Sequence, residues 1–338
     1  MCKTLCFLCL FITTSFLYSQ TLSGKVFDIK TKQPLMAVSI YFDNTTIGTT
    51  TDEFGNFSIE YSDAIQSNLI ISYLGYETVI VSDYRSKSNI TVKLKEALNQ
   101  LNEVVVYADD GLTRKQKIKL FRKQFLGFSK FSKSCRILNE EDLILRYNKK
   151  DNTLTVSAKK PVLVKNRSLQ YEITYDIIDF EIVFRYVDPK LDKYSIQSVL
   201  YTGTAFYKDL NTTNKRSVSV NREKAFKGSV QHFMRSLFDK NLRKEGFDIF
   251  YKRLQVDEWQ FFKVEDISNS SFKKVALETK VDILFKLKYQ SVLKPLVTHF
   301  YVDKYGNYSP IKELLFGGVM GDQRIGDLLP INYGLDKN

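Results

Sequence analysis

Residues 21–94 carry short apolar runs broken by Gly, Pro, Asp and Asn. Phe57-Ser-Ile59-Glu-Tyr61 alternates strictly, so three apolar side chains share one face of an extended strand. Similar runs at Leu22–Phe27, Val38–Phe42, Ile47–Thr50, Leu69–Tyr73, Tyr76–Val81 and Ile90–Leu94 give, with Phe57–Tyr61, seven predicted strands, spaced closely enough for one small sandwich. In Asp52-Glu-Phe-Gly55-Asn56 the Asp52 carboxylate can fold back on the turn while Gly55 takes a left-handed conformation, which closes a hairpin. Asp52 and Asn56 supply too few oxygens at too wide a spacing for a calcium loop.

After residue 113 the period lengthens. Ile118, Phe121, Phe125 and Phe128 recur at steps of three and four, which predicts an amphipathic helix with a Phe-rich face. From Asp142 the period shortens again, and strands are expected at Leu143–Tyr147, Thr153–Ala158, Val162–Lys165, Tyr171–Tyr175, Ile178–Tyr186 and Ser195–Tyr201. A second helix is predicted over Asn221–Leu242, where Phe226, Val230, Phe233 and Leu237 form a stripe. Strands follow at Phe247–Leu254, Phe261–Val264, Val281–Leu287 and Thr298–Val302. The chain is therefore β-rich, a β-sandwich followed by an α+β domain built on an antiparallel sheet.

Met1–Gln20 combines one charge at Lys3, an apolar run from Leu5 to Leu17 and a short polar end, the layout of a secretory signal with cleavage beside Ser19. The run is too short to span a bilayer. No small-residue run precedes Cys2, Cys6 or Cys9, which argues against a lipid anchor, and cleavage would leave Cys135 as the one thiol. A lone cysteine closes no intramolecular disulfide and builds no thiolate zinc site, so its ordinary place is burial as a small hydrophobe. No later stretch is apolar enough for a transmembrane helix. The interrupting helices and the polar tail Tyr333-Gly-Leu-Asp-Lys-Asn338 speak against a transmembrane barrel. Residues 1–19 are thus expected to be a signal, 20–97 the sandwich, 98–113 a linker and 114–338 the second domain.

Gly24-Lys-Val26-Phe-Asp28 with Pro34-Leu35, then Gly48-Thr-Thr-Thr-Asp52-Glu-Phe-Gly55-Asn-Phe57, then Ser72-Tyr-Leu-Gly75-Tyr76-Glu77 resemble, in that order, the carboxypeptidase regulatory-like domain. The resemblance implies a Greek-key, prealbumin-like sandwich that accompanies enzymes and outer-membrane receptors of Gram-negative bacteria without catalytic residues of its own. A zinc peptidase would need a Glu near a His and a second His further along. His232 and His299 are the two histidines, and neither has a glutamate three residues on. Leu98–Ala108, with Val104, Val105 and Val106, is similar to the segment that follows this domain in TonB-dependent receptors, where a strand can be captured by β-addition. Too few residues follow for a plug and a receptor barrel. Gly228-Ser-Val-Gln-His232-Phe-Met-Arg235-Ser-Leu237 and Gly326-Asp-Leu-Leu-Pro330 resemble a C-terminal region found with this domain in envelope proteins of unestablished role.

A formal net charge of +12 over 338 residues raises the question of an anionic partner. No acidic residue falls between Asp110 and Glu140, while Arg114, Lys115, Lys117, Lys119, Arg122, Lys123, Lys130, Lys133 and Arg136 all do. Arg114, Lys115, Lys119, Arg122 and Lys123 are candidates for adhesion to an anionic lipid or glycan surface, against the plainer reading of a solvated helix face. Export and the lack of a base-reading motif argue against nucleic acid. His232, Arg235 and Asp239 form a polar helix stripe that charge pairing explains, with His232 the one candidate acid–base group. No phosphate loop and no nucleophile elbow is present. The sequence points to no cofactor and no metal. A non-enzymatic exported cell-envelope protein, periplasmic or outer-membrane associated, binding an envelope component or partner protein, fits these features best. The alternatives are a receptor accessory acting through Val104–Val106 and a hydrolase with its site in the second domain.

Overall fold

A computed structural model describes residues 19–62, 66–97, 111–268 and 270–335. Most of the expected export signal (residues 1–18) and the Val104–Val106 segment lie outside the described residues.

The alternating runs of the first part form β1 (Ser19–Asp28), β2 (Ser39–Phe42), β3 (Gly48–Thr50), β4 (Asn56–Ser62), β5 (Leu69–Ser72), β6 (Val79–Val81) and β7 (Asn89–Leu94). They make two sheets, in the orders β4-β1-β7 and β3-β2-β5-β6, and the β1/β7 pairing is parallel. The predicted strands and the sandwich are both present. The inward faces bury Leu22, Val26, Ile40 and Leu94 around a ring cluster of Phe42, Tyr61 and Tyr84, with centroids 5.1–5.4 Å apart. Each such ring contributes about 2 kcal/mol by leaving water. Gly24 is required where the central strand is crowded from both sides: a Cβ there would sit 2.4 Å from the Ile90 carbonyl oxygen and 2.6 Å from the Phe57 ring.

The second part buries two hydrophobic cores. The first comprises α1 (Arg114–Leu126), β8 (Cys135–Ile137), β9 (Leu143–Asn148), β10 (Thr153–Ala158), β11 (Val162–Asn166), β12 (Tyr171–Asp188), β13 (Lys193–Asp209) and α2 (Arg216–Phe226). The long antiparallel hairpin β12–β13 is its backbone, and β12 also pairs with β11 along its first half and β10 along its second. The two runs expected at Tyr171–Tyr175 and Ile178–Tyr186 are one strand, because a register shift between Ile177 and Asp179 absorbs the break in alternation. A capping box of Thr113 and Gln116 starts α1, which packs Phe121 and Phe125 against Phe180 and Tyr175.

The second core follows α3 (Val230–Phe238), with β14 (Phe247–Tyr251), β15 (Leu254–Val256), α4 (Glu258–Phe261), β16 (Lys263–Asp266), β17 (Phe272–Ala276), β18 (Val281–Phe285), β19 (Tyr289–Pro295), β20 (His299–Asp303), β21 (Tyr308–Ser309), β22 (Leu314–Gly317) and α5 (Gly318–Gly321). Its sheets run β15-β14-β18-β19-β22 and β16-β17-β20-β21, closing on Phe233, Met234, Leu237, Phe247, Phe262 and Phe300. The single helix expected over Asn221–Leu242 is two. Gly228 takes a φ of 81°, and Ser229 caps the new helix by accepting from the His232 N–H.

The sandwich is welded to the first core through its Asp43–Thr46 turn. Asn44 N–H donates to the Ala205 carbonyl at 2.7 Å, Tyr207 N–H to the Thr45 carbonyl at 2.9 Å, and Ile331 N–H to the Asn44 carbonyl at 2.6 Å. Asn332 exchanges two hydrogen bonds with Thr46, and Tyr305, from the second core, inserts its ring into the sandwich core.

Candidate functional site

A cavity of about 900 Å³ opens between the two cores of the second part. Four separate elements build it. Gly127, at φ 100°, ends α1 and turns the chain so that Phe128 leaves the helix stripe on which the sequence placed it and stands 47% exposed in the cavity wall. The helix α2 supplies Val220, Glu223 and Lys224, and Lys227 follows directly after its end. The β18–β19 turn supplies Phe285, Lys286 and Tyr289, and α5 with the following loop supplies Val319 and Asp322.

The wall is apolar with a cationic rim. Phe128, Val220, Tyr289 and Val319 all expose apolar surface. Lys227 donates to Glu223 at 2.9 Å and, with Lys286 and Lys224 acting at longer range, holds that carboxyl below the usual carboxylate range. Lys130 adds a further ammonium. Asp327, deeper in the wall, accepts from the Ser132 hydroxyl and the Arg324 N–H, yet burial pushes its carboxyl up.

His232 lies just behind this wall. On the polar stripe read from the sequence, His232 is 4% exposed and packed among Phe226, Phe247 and Phe285. Gly228 N–H donates to Nδ1 at 3.1 Å, so the neutral ring carries its proton on Nε2 and donates to Glu245 at 3.2 Å. Burial pulls its pKa below the ordinary histidine value, against the opposing pull of Glu245. Both ring nitrogens are engaged and neither lines the cavity, which is the geometry of a core histidine bridging two segments.

Arg235 is likewise engaged. Its guanidinium donates to three backbone carbonyls, Tyr305 at 3.0 Å, Tyr333 at 2.8 Å and Ile331 at 2.6 Å, and clamps the C-terminal segment onto α3.

The basic residues of α1 divide. Arg114 donates to the carbonyls of Leu143 and Glu140, Lys119 pairs with Asp192, and Arg122 pairs with Glu140. Lys115 acts on Asp192 at longer range. Lys123 sits 5.4 Å from the Phe128 ring centre, beside the cavity. Cys135 is partly buried, its thiol pushed up to about 12 by burial, which leaves it almost wholly un-ionised near neutrality.

Among the described residues no group of three or more His, Cys, Asp or Glu side chains could hold a metal ion. No helix among them is long and apolar enough to cross a membrane, which says nothing of a β-barrel.

Residues 22–106 match the family model of the CarboxypepD_reg-like domain. The N-terminal sandwich is therefore a carboxypeptidase regulatory-like domain, a non-catalytic module, and the matched stretch includes Val104–Val106. The match is to that part of the chain alone. No curated protein matches the chain. Among solved structures, a 9R-lipoxygenase from Cyanothece PCC8801 aligns at 10% identity, covering 65% of this chain and 48% of its own, with a TM-score of 0.20. The chain thus spans about half the length of that lipoxygenase, and at this TM-score the likeness carries no argument.

The sequence did not mark Val220, Lys224, Lys227, Lys286, Tyr289 or Val319 as site residues. They lie far apart along the chain, and singly each reads as an ordinary surface or core position.

Proposed function

We propose that this is an exported, non-enzymatic binding protein of the cell envelope, in which the regulatory-like sandwich is a fixed structural partner and the second part holds the ligand. The observation that carries the binding reading is the cavity between the two C-terminal cores, concave, apolar-walled and rimmed with lysines. The engagement of His232 and Arg235 in the framework supports binding over hydrolysis, since neither offers a free group to a substrate. Export rests on the signal-like Met1–Gln20.

Two measurements test it. N-terminal sequencing of the chain from fractionated cells should find it in the envelope, starting at or next to Gln20; a cytosolic chain retaining Met1 overturns the export reading. Native mass spectrometry of the purified chain should find a bound mass that a Val319→Glu change removes. A bound mass indifferent to that change contradicts the assignment of the cavity.

A further inference from the structure

We infer that the cavity takes a single-chain anionic amphiphile, an acyl chain ending in a phosphate or carboxylate head, as a monomer from solution. The inference rests on the binding reading above and names the ligand class. Scattered exposed apolar residues are normal on a protein surface. Here Phe128, Val220, Tyr289 and Val319 come from four different elements and line one concavity of about 900 Å³, the size of a small-molecule site.

The cations give the head its sign. Lys224, Lys227 and Lys286 line the cavity together with the acid Glu223, to which Lys227 is paired at 2.9 Å. Lys130 adds a fourth cation, and Asp322 and Asp327 are the remaining acids of the wall. Of these, Asp327 is already occupied by Ser132 and the Arg324 N–H. A neutral head would leave the lysines to lose water without compensation, whereas phosphate or carboxylate oxygens replace that water with charge-assisted hydrogen bonds.

The turn that carries Lys286 is built at a cost. Lys286 and Leu287 have φ of 50° and 52° in the three-residue turn between the paired Phe285 and Tyr289, a left-handed region that suits Gly and Asn rather than Lys and Leu. The Lys286 N–H is fixed by the Gly246 carbonyl at 2.8 Å, which holds this lysine at the rim.

Titration calorimetry on the chain from residue 20 to 338 tests the inference, with dodecyl phosphate kept below its micelle concentration, glycerol monolaurate as the neutral match and inorganic phosphate as the head alone. Dodecyl phosphate should bind one to one, roughly tenfold more tightly than glycerol monolaurate, and inorganic phosphate should show no saturable binding. Lys224→Glu with Lys286→Glu should weaken dodecyl phosphate roughly tenfold and close the gap to the neutral match, while Lys312→Glu, outside the cavity, changes neither. If the double variant fails to fold, Lys224→Gln alone should still weaken dodecyl phosphate roughly threefold. Equal affinity for the two amphiphiles, indifference to both lysine variants, or no saturable binding overturns the inference. Sedimentation with phosphatidylglycerol vesicles without monomer binding makes the surface a bilayer contact and also overturns it. A different ligand lost on Val319→Glu, with dodecyl phosphate unbound, overturns this inference and leaves the broader binding reading standing.

Discussion

Asp52 and Asp303 hold the same turn in opposite surroundings. Asp52-Glu-Phe-Gly55-Asn56 joins β3 to β4 and Asp303-Lys-Tyr-Gly306-Asn307 joins β20 to β21. Asp52 Oδ1 accepts from the N–H groups of Phe54 and Asn56 at 2.9 and 2.8 Å, and Asp303 Oδ1 accepts from those of Tyr305 and Asn307 at 2.9 Å each. In both turns the Asn amide donates to the second carboxylate oxygen. Phe54 points outward, 59% exposed, whereas Tyr305 is 3% exposed in the sandwich core. The hydrogen bonds of Asn56 hold the Asp52 carboxyl below the usual range, while burial outweighs the same bonds at Asp303 and pushes its carboxyl up.

The pair predicts unequal costs. Asp303→Ala leaves buried donors without an acceptor and should destabilise the chain by about 2–4 kcal/mol, whereas Asp52→Ala, where water replaces the carboxylate, should cost about 1 kcal/mol or less. Urea unfolding of the two variants provides the comparison; equal losses would contradict it.

Asp43 makes the joint between sandwich and first core sensitive to pH. It accepts from the Ala205 N–H at 2.8 Å, and burial raises its pKa to about 6 from the ordinary 3.8. Between these values the folded chain binds a proton that the unfolded chain does not, so acidification through that window stabilises the fold. The contribution is full below pH 3.8 and is lost as pH rises through about 6. It amounts to about 2–3 kcal/mol. Asp43→Asn should flatten the dependence between pH 4 and pH 7 relative to the parent chain, and parallel curves for the two proteins would rule this out.

His232 should respond in the opposite sense. Its pKa is lowered chiefly by burial, so the stability it contributes is present above the ordinary 6.5 and is lost as pH falls through the lowered value. Nitrogen NMR of the ring at pH 7 should show the neutral tautomer with its proton on Nε2. Glu245→Gln should lower the pKa further; an upward shift would contradict the pairing.

Arg235→Met should release the C-terminal segment, because three carbonyls lose a charged donor. The expected loss is about 2–4 kcal/mol, with faster amide exchange at residues 331–335. Arg235→Lys should rescue little, since a single ammonium cannot span three acceptors in one plane.

Leu287→Gly should stabilise the chain by about 1 kcal/mol, because φ of 52° disfavours a branched side chain and suits glycine. A neutral or destabilising effect on thermal unfolding would show that the 78% exposed Leu287 side chain contributes packing that outweighs the strain.

The sandwich was legible because its strands alternate on a period of two and end at Gly, Asp and Asn. The second part was less so. Bulges let β12 and β13 run through interruptions in the pattern, and Gly228 split a helix whose apolar stripe looked continuous. Strands β17 and β19 went unrecognised because Phe272-Lys-Lys-Val-Ala and Tyr289-Gln-Ser-Val-Leu carry little alternation. The Asp-x-aromatic-Gly-Asn turn was read at Asp52 alone, and its second copy at Asp303, with its buried surroundings, was not. Charge counting drew attention to α1, whose Arg114, Lys119 and Arg122 turn out to be tied to neighbouring strands and loops. The cavity lysines, scattered over Lys130, Lys224, Lys227 and Lys286, form no run.

The most direct test of the proposed binding site is photocrosslinking in the native cell from residue 319, in the cavity wall, compared with residue 254, which is exposed and does not line the cavity. A ligand adduct at 319 that is absent at 254 and lost in the Lys224→Glu with Lys286→Glu chain is the predicted result. Equal labelling at both positions, or adducts at 254 alone, would contradict it.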